Sequence, residues 1–134
     1  MPKLEYFLAA LSISLDQTSN LVSLFHVLEQ FACKTLPLAL PNFVAASSWI
    51  FSEDELGKDF QVIIRIHYPP GQDPRQSEDQ RINFTPDRVR FRTLFYLNGI
   101  EVTTEGPLRL ELLLDGKHQA DHTITVVPQA PDDA

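Results

Sequence analysis

Four histidines, one cysteine and a run of arginines carry most of the chemical potential of this 134-residue chain. His118 and His122 form a His-x3-His pair. On a helix that spacing aims two imidazoles at one metal ion, but on a strand four residues span roughly 13 Å, too far for a shared ion. His67 precedes Tyr68-Pro69-Pro70 and has no cysteine or carboxylate at the spacing of a zinc site, and His26 stands alone. No metal set and no cofactor is therefore read. Cys33 has the right type for a nucleophile, yet it lies beside Lys34 with no local signature, so a buried free thiol is expected. Ser12 and Ser14 read as the polar face of a strand, Ser47 and Ser48 as small neighbours of Trp49, and Glu53-Asp54-Glu55 as a solvated loop. No catalytic residue is assigned, and the chain has no GxGxxG, GxxxxGK[ST] or GxSxG.

The basic side chains are the more informative. In Arg88-Val-Arg-Phe-Arg92 a period of two puts Arg88, Arg90 and Arg92 on one face, while Val89 and Phe91 enter the core and Leu94 and Tyr96 extend the outer row. A tight hairpin at Thr85 to Arg88 would set Ile82 opposite Phe91 and Arg81 opposite Arg92. Arg81, Arg88, Arg90, Arg92 and Tyr96 are thus a candidate patch for phosphate or an acidic partner, since the guanidinium fork suits either. The competing reading has Glu78, Asp79, Asp87 and Glu111 neutralising it across strands. A second candidate surface is apolar: Ile63, Leu94 and Leu113 each fall among polar outer positions, and together they would suit a protein partner or a second copy. An alternative is a small-molecule or enzymatic site built from loops near Trp49, His67 and the turn at 69–71.

Strands are needed to position these groups. Phe60, Val62, Ile64 and Ile66 alternate with Gln61, Arg65 and His67, the pattern of a strand with one buried face. Leu108, Leu110, Leu112 and Leu114 lead through Asp115-Gly116 into Ala120, Ile124 and Val126, a hairpin signal. Residues 4–15 and 21–32 flank the polar cluster Asp16-Gln-Thr-Ser-Asn20 and read as two long strands, with a helix over 21–31 as the local alternative. Leu36 to Pro41 is a proline-bounded link, and Phe43 to Phe51 is a further strand. The expectation is an all-β chain: one antiparallel β-sandwich over 1–127, immunoglobulin-like or of related Greek-key topology, with seven to eight strands. Residues 128–134 read as a short acidic disordered tail.

Composition sets outer limits. Eleven Lys and Arg against eighteen Asp and Glu give a formal charge of −7, which argues against wrapping nucleic acid or docking on anionic lipid. The apolar run in residues 4–15 is far shorter than the ~20 residues of a membrane span, and Glu5 falls where a signal peptide would carry positive charge. One cysteine suits a reducing compartment, so a cytoplasmic setting without membrane attachment is expected.

In order along the chain, YFLAALSISLDQTSNLVSLFHVLEQF, LPLALPNF, FTP at 84–86 and GPLRLELLLDGKHQADHTITV resemble an uncharacterised bacterial domain-of-unknown-function family of single β-sandwich domains. Pro107-Leu108 after Gly106 departs from its pattern. The resemblance implies a fold and a bacterial cytoplasmic setting, and it brings no catalytic residue, ligand or partner. The functional expectation is a non-catalytic binding or assembly module acting through a sheet face or an edge strand.

Overall fold

The structure is a computed structural model that describes residues 1–87 and 90–129. Its strands are β1 (Lys3–Leu15), β2 (Val22–Val27), β3 (Gln30–Cys33), β4 (Leu38–Ala39), β5 (Phe43–Ile50), β6 (Asp59–His67), β7 (Arg75–Gln76), β8 (Gln80–Asn83), β9 (Arg90–Leu97), β10 (Glu101–Val102), β11 (Gly106–Leu114) and β12 (Lys117–Pro128). Among the described residues there is no α-helix, only a 3-10 turn at Glu53–Glu55. The chain is all-β, and the helical alternative for 21–31 is not taken up. Arg88, Val89 and residues 130–134 lie outside the described residues.

One sheet has the order β2-β1-β5-β9, all antiparallel. The second runs β3-β12-β11-β6-β7, with β8 also on β6, and is antiparallel except where β3 joins β12 in parallel. One apolar cluster draws on both sheets: Phe7, Ala9, Ala45, Trp49, Phe95 and Leu97 from the first, and Phe60, Val62, Ile64, Ile66, Leu108, Leu110, Leu112 and Leu114 from the second. These are the alternate positions read from sequence, because alternation puts every second side chain on the core face. Buried polar groups on that face pair with one another. Trp49 Nε1 donates to Ser47 Oγ at 2.8 Å, and Ser47 in turn hydrogen-bonds Thr93.

Three local events shape the outer surface. First, the single strand expected over 21–32 is divided. His26 has φ of 57°, Leu28 N–H bonds to Ala9 O in the first sheet, and Thr125 N–H bonds to Glu29 O in the second, so the chain changes sheets at Leu28–Glu29. This division and the two-residue strands β4, β7 and β10 raise the number of strands above the seven or eight expected. Second, β8 and β9 do not form a hairpin. Ile82 registers with Phe60 on β6, whereas Phe91 registers with Trp49 on β5, so the chain passes from one sheet to the other between β8 and β9. Phe84, fully buried at that crossing, stacks on Phe51 with ring centroids 4.3 Å apart and meets Phe91 edge-on at 6.5 Å. Third, β1 changes its neighbours: residues 3–10 pair with β5, and residues 10–15 pair with β2. Arg92 Nη2 donates to Asn20 O at 3.1 Å, so the β1–β2 turn curls back toward β9 although β5 separates β1 from β9.

The Asp115-Gly116 hairpin forms as read. Asp115 and Gly116 have φ of 49° and 80°, the left-handed pair of a type I′ turn, and glycine takes the second position without steric cost.

Candidate functional site

The strand partners scatter the arginine patch. Arg90, Arg92 and Tyr96 do share the outer face of β9, but Arg81 on β8 registers with Gln61 in the other sheet. The hairpin that would have joined them is absent, so Arg81 is not part of the same surface. Arg90 is neutralised by a residue outside the expected set. Arg90 Nε lies 2.6 Å from Glu5 Oε1, which accepts the Ser48 hydroxyl as well at 2.9 Å. The hydrogen bond from Arg90 holds the Glu5 carboxyl below its ordinary range, and the same pair raises Arg90. Glu78 and Asp79 make no ion pair among the described residues, and Glu111 belongs to the opposite sheet. A recess of about 640 Å³ opens beside Arg90 and Arg92, lined also by Asn20, Leu21, Ser48 and Asp87. Tyr96, 70% exposed, stands at the far end of β9.

The expected apolar face is also corrected. Ile63 and Leu113 are in register with each other but are only 7% and 3% exposed, and Leu94 is half-buried on the other sheet. Period two correctly gives Ile63 an outward direction, yet Gln61, Arg65, Glu111 and His118 flank the pair on the same face. Long polar side chains cover short aliphatic ones in such a setting.

Those same flanking residues build a polar cluster that the sequence did not announce. Glu111 Oε1 meets His67 Nε2 at 2.8 Å, and its Oε2 meets His118 Nδ1 at 2.8 Å. Arg65 lies 3.8 Å from Oε1, and Arg109 pairs with Asp121 at 3.0 Å. The hydrogen bond from His67 is the main cause that lowers the Glu111 carboxyl; burial opposes it and His118 adds to it. The register shift between Leu112 and Leu113 brings His118 level with Leu113 on the outer face, while His122 is level with the buried Leu110. His122 instead bonds Leu28 O at 2.5 Å. The His-x3-His pair is thus split between faces. Among the described residues no group of His, Cys, Asp or Glu is arranged to hold a metal ion.

Trp49 is fully buried on the core face of β5, and His67 points from the opposite, outer face of β6. The two do not share a surface, so the loop-built site near Trp49, His67 and 69–71 is not assembled around both of them. Cys33 is a buried free thiol, as read.

Four exposed apolar side chains gather elsewhere, on the β1–β2 hairpin. Leu15, Leu21, Phe25 and Val27 are 47%, 69%, 48% and 39% exposed. The registers Leu15↔Val22 and Ile13↔Leu24 put one apolar set on one face, and Ser12↔Phe25 with Ala10↔Val27 puts another on the reverse. A signal for this was present in the sequence: residues 17–28 contain no Asp, Glu, Lys or Arg. That signal specifies strand alone, because an uncharged alternating run looks the same whether it is covered or not.

A family model described as a family of unknown function, DUF6941, matches residues 5–127. The chain belongs to DUF6941. No curated protein matches it. The DUF6941 match runs from β1 into β12 and so takes in both sheets, the hairpin and the histidine–carboxylate cluster. Among the described residues of this DUF6941 member, no helix is long and apolar enough to cross a membrane.

Proposed function

We propose that this DUF6941 domain is a non-catalytic binding or assembly module that meets a protein, or another copy of itself, through the β1–β2 hairpin. The observation that carries this reading is the concentration of exposed Leu15, Leu21, Phe25 and Val27 on one two-stranded element. An isolated hairpin is marginal in water, and this one has apolar side chains on both faces. Exposed apolar side chains gathered on one element are a mark of contact sites. The polar clusters support the same reading, since Glu5, Glu111 and Asp121 are each engaged by a neighbouring cation or imidazole on open sheet faces. An enzymatic or small-molecule site near His67 has less support, because the acidic residue it meets, Glu111, lines neither the recess beside Arg90 and Arg92 nor the two at the other end of β9.

The proposal includes an immunoglobulin-like sandwich plan and a bacterial cytoplasmic setting. The strand change at Leu28–Glu29 and the change of sheet between β8 and β9 support the first, as Greek-key folds pass strands between sheets. The unpaired thiol of Cys33 supports the second.

Photo-cross-linking in cells tests the function. A benzophenone-bearing phenylalanine analogue at Phe25 should give one dominant protein adduct, and Leu21→Ser with Val27→Ser should abolish it. The same analogue at Tyr96 should give none. Absence of an adduct at Phe25, or equal adducts at both positions, would overturn the reading.

A further inference from the structure

We infer that the occupant of the hairpin is a second copy of this chain, paired antiparallel along the free edge of β2; the inference rests on the reading of the hairpin as the contact surface. Among the described residues β2 is an outer strand of its sheet, with β1 on one side and no strand on the other. Asp16 N–H bonds to Leu21 O, which fixes the phase of the ladder. Leu21, Ser23 and Phe25 then direct their backbone groups toward β1, and the N–H and C=O of Val22 and Leu24 face outward. Those outward groups are a template for one more strand.

The two edges of this sheet differ in how they are guarded. Along β9, Arg90 and Arg92 place charge at the edge, and the Gln80 side chain caps Leu94 O at 2.6 Å. β2 has neither device: Val22-Ser-Leu-Phe-His-Val27 contains no Asp, Glu, Lys, Arg or Pro. Charge and inserted side chains are the usual means of keeping edges apart.

Charge also selects the occupant. Two copies at −7 each repel one another across most of their surfaces, and an acidic or basic partner finds no complementary group along residues 17–28. Here two copies meet without opposing charges. A two-fold axis through the middle of β2 matches outward backbone groups with outward groups and sets apolar side chains of the two copies against each other, the self-complementarity of an isologous contact. The exposed side chains along β2, Leu21, Phe25 and Val27, offer on the order of a few hundred Å² per copy, short of the ~800 Å² of a standard stable interface. The dimer is therefore reversible and concentration-dependent.

Sedimentation velocity over a dilution series of the full chain, combined with amide exchange, tests this. At millimolar concentration a dimer is expected in which Val22 and Leu24 amides exchange more slowly than in dilute samples. Phe25→Lys should return the monomer with both amides unprotected, and Tyr96→Lys should leave the dimer intact. Both substitutions are at exposed side chains, and retention of the wild-type circular dichroism spectrum confirms the fold. A monomer at millimolar concentration, or a dimer indifferent to Phe25→Lys, overturns the inference. In the first case a cross-linked adduct to a different protein at Phe25 would leave the binding function standing.

Discussion

Two histidines from different strands share one carboxylate on the outer face of the larger sheet, and this makes Glu111 the residue whose chemistry is easiest to test. Its side chain is mostly buried, and His67 and His118 each bond one of its oxygens at 2.8 Å. Glu111→Gln keeps the shape and removes the charge. A cost of about 1–2 kcal/mol near pH 7 is expected, between an exposed ion pair and a hydrogen bond to a charged group. The sign of the pH dependence follows from the lowered carboxyl. A group depressed on folding stabilises above its unfolded value, about 4.3, and that contribution is lost as pH falls through the folded value. Urea midpoints should therefore separate wild type from Glu111→Gln at neutral pH and converge as pH falls through the depressed folded value. A gap that persists in acid would mean that the carboxylate charge is not what stabilises this face. None of this cluster was legible from spacing, because Glu111, His67 and His118 are brought together only by the register of β6, β11 and β12.

At the scale of the element, alternation disclosed which side chains face inward and concealed which strand lies next door. The β6 pattern and the Asp115-Gly116 turn were readable because each is encoded locally, one by period two and one by left-handed backbone angles. The β8–β9 connection was misread for the same reason: Ile82 and Phe91 fit a hairpin just as well as they fit two separate sheets. Phe84 distinguishes the two arrangements energetically. In a tight hairpin it would stand near an exposed turn and tolerate truncation, whereas here it is fully buried and contacts the rings of Phe51, Phe60 and Phe91. Phe84→Ala should cost about 3–5 kcal/mol. Chemical denaturation would measure it, and a loss under 1 kcal/mol would contradict the crossing between sheets. The arginine patch failed at this same junction, since Arg81 and Arg92 follow opposite ends of it.

For the molecule as a whole, the repeated exchange of strands between sheets ties both layers into one cooperative unit. β1 connects through β2 to β3, so the first sheet leads directly into the edge of the second at Leu28–Glu29, and the chain returns from the second sheet to the first between β8 and β9. Trp49, the single tryptophan, is fully buried in the first sheet, and its indole is tied through Ser47 to Thr93 on β9. Its fluorescence reports loss of core packing, while far-UV circular dichroism reports both sheets. With one contiguous apolar cluster filled from both layers, the two signals should give the same denaturation midpoint and slope, as two-state unfolding requires. A tryptophan transition at lower denaturant than the dichroism would mean that the four-stranded sheet opens first. The β1–β2 hairpin is the exception built into this scheme, because among the described residues 11–15 and 22–26 find strand partners only in each other, and they are held to the rest through Val27 on Ala10, Leu28, the packing of Leu11 on the core and the Arg92–Asn20 bond. Its amides should exchange faster than those of β5 in dilute protein, by opening events smaller than global unfolding.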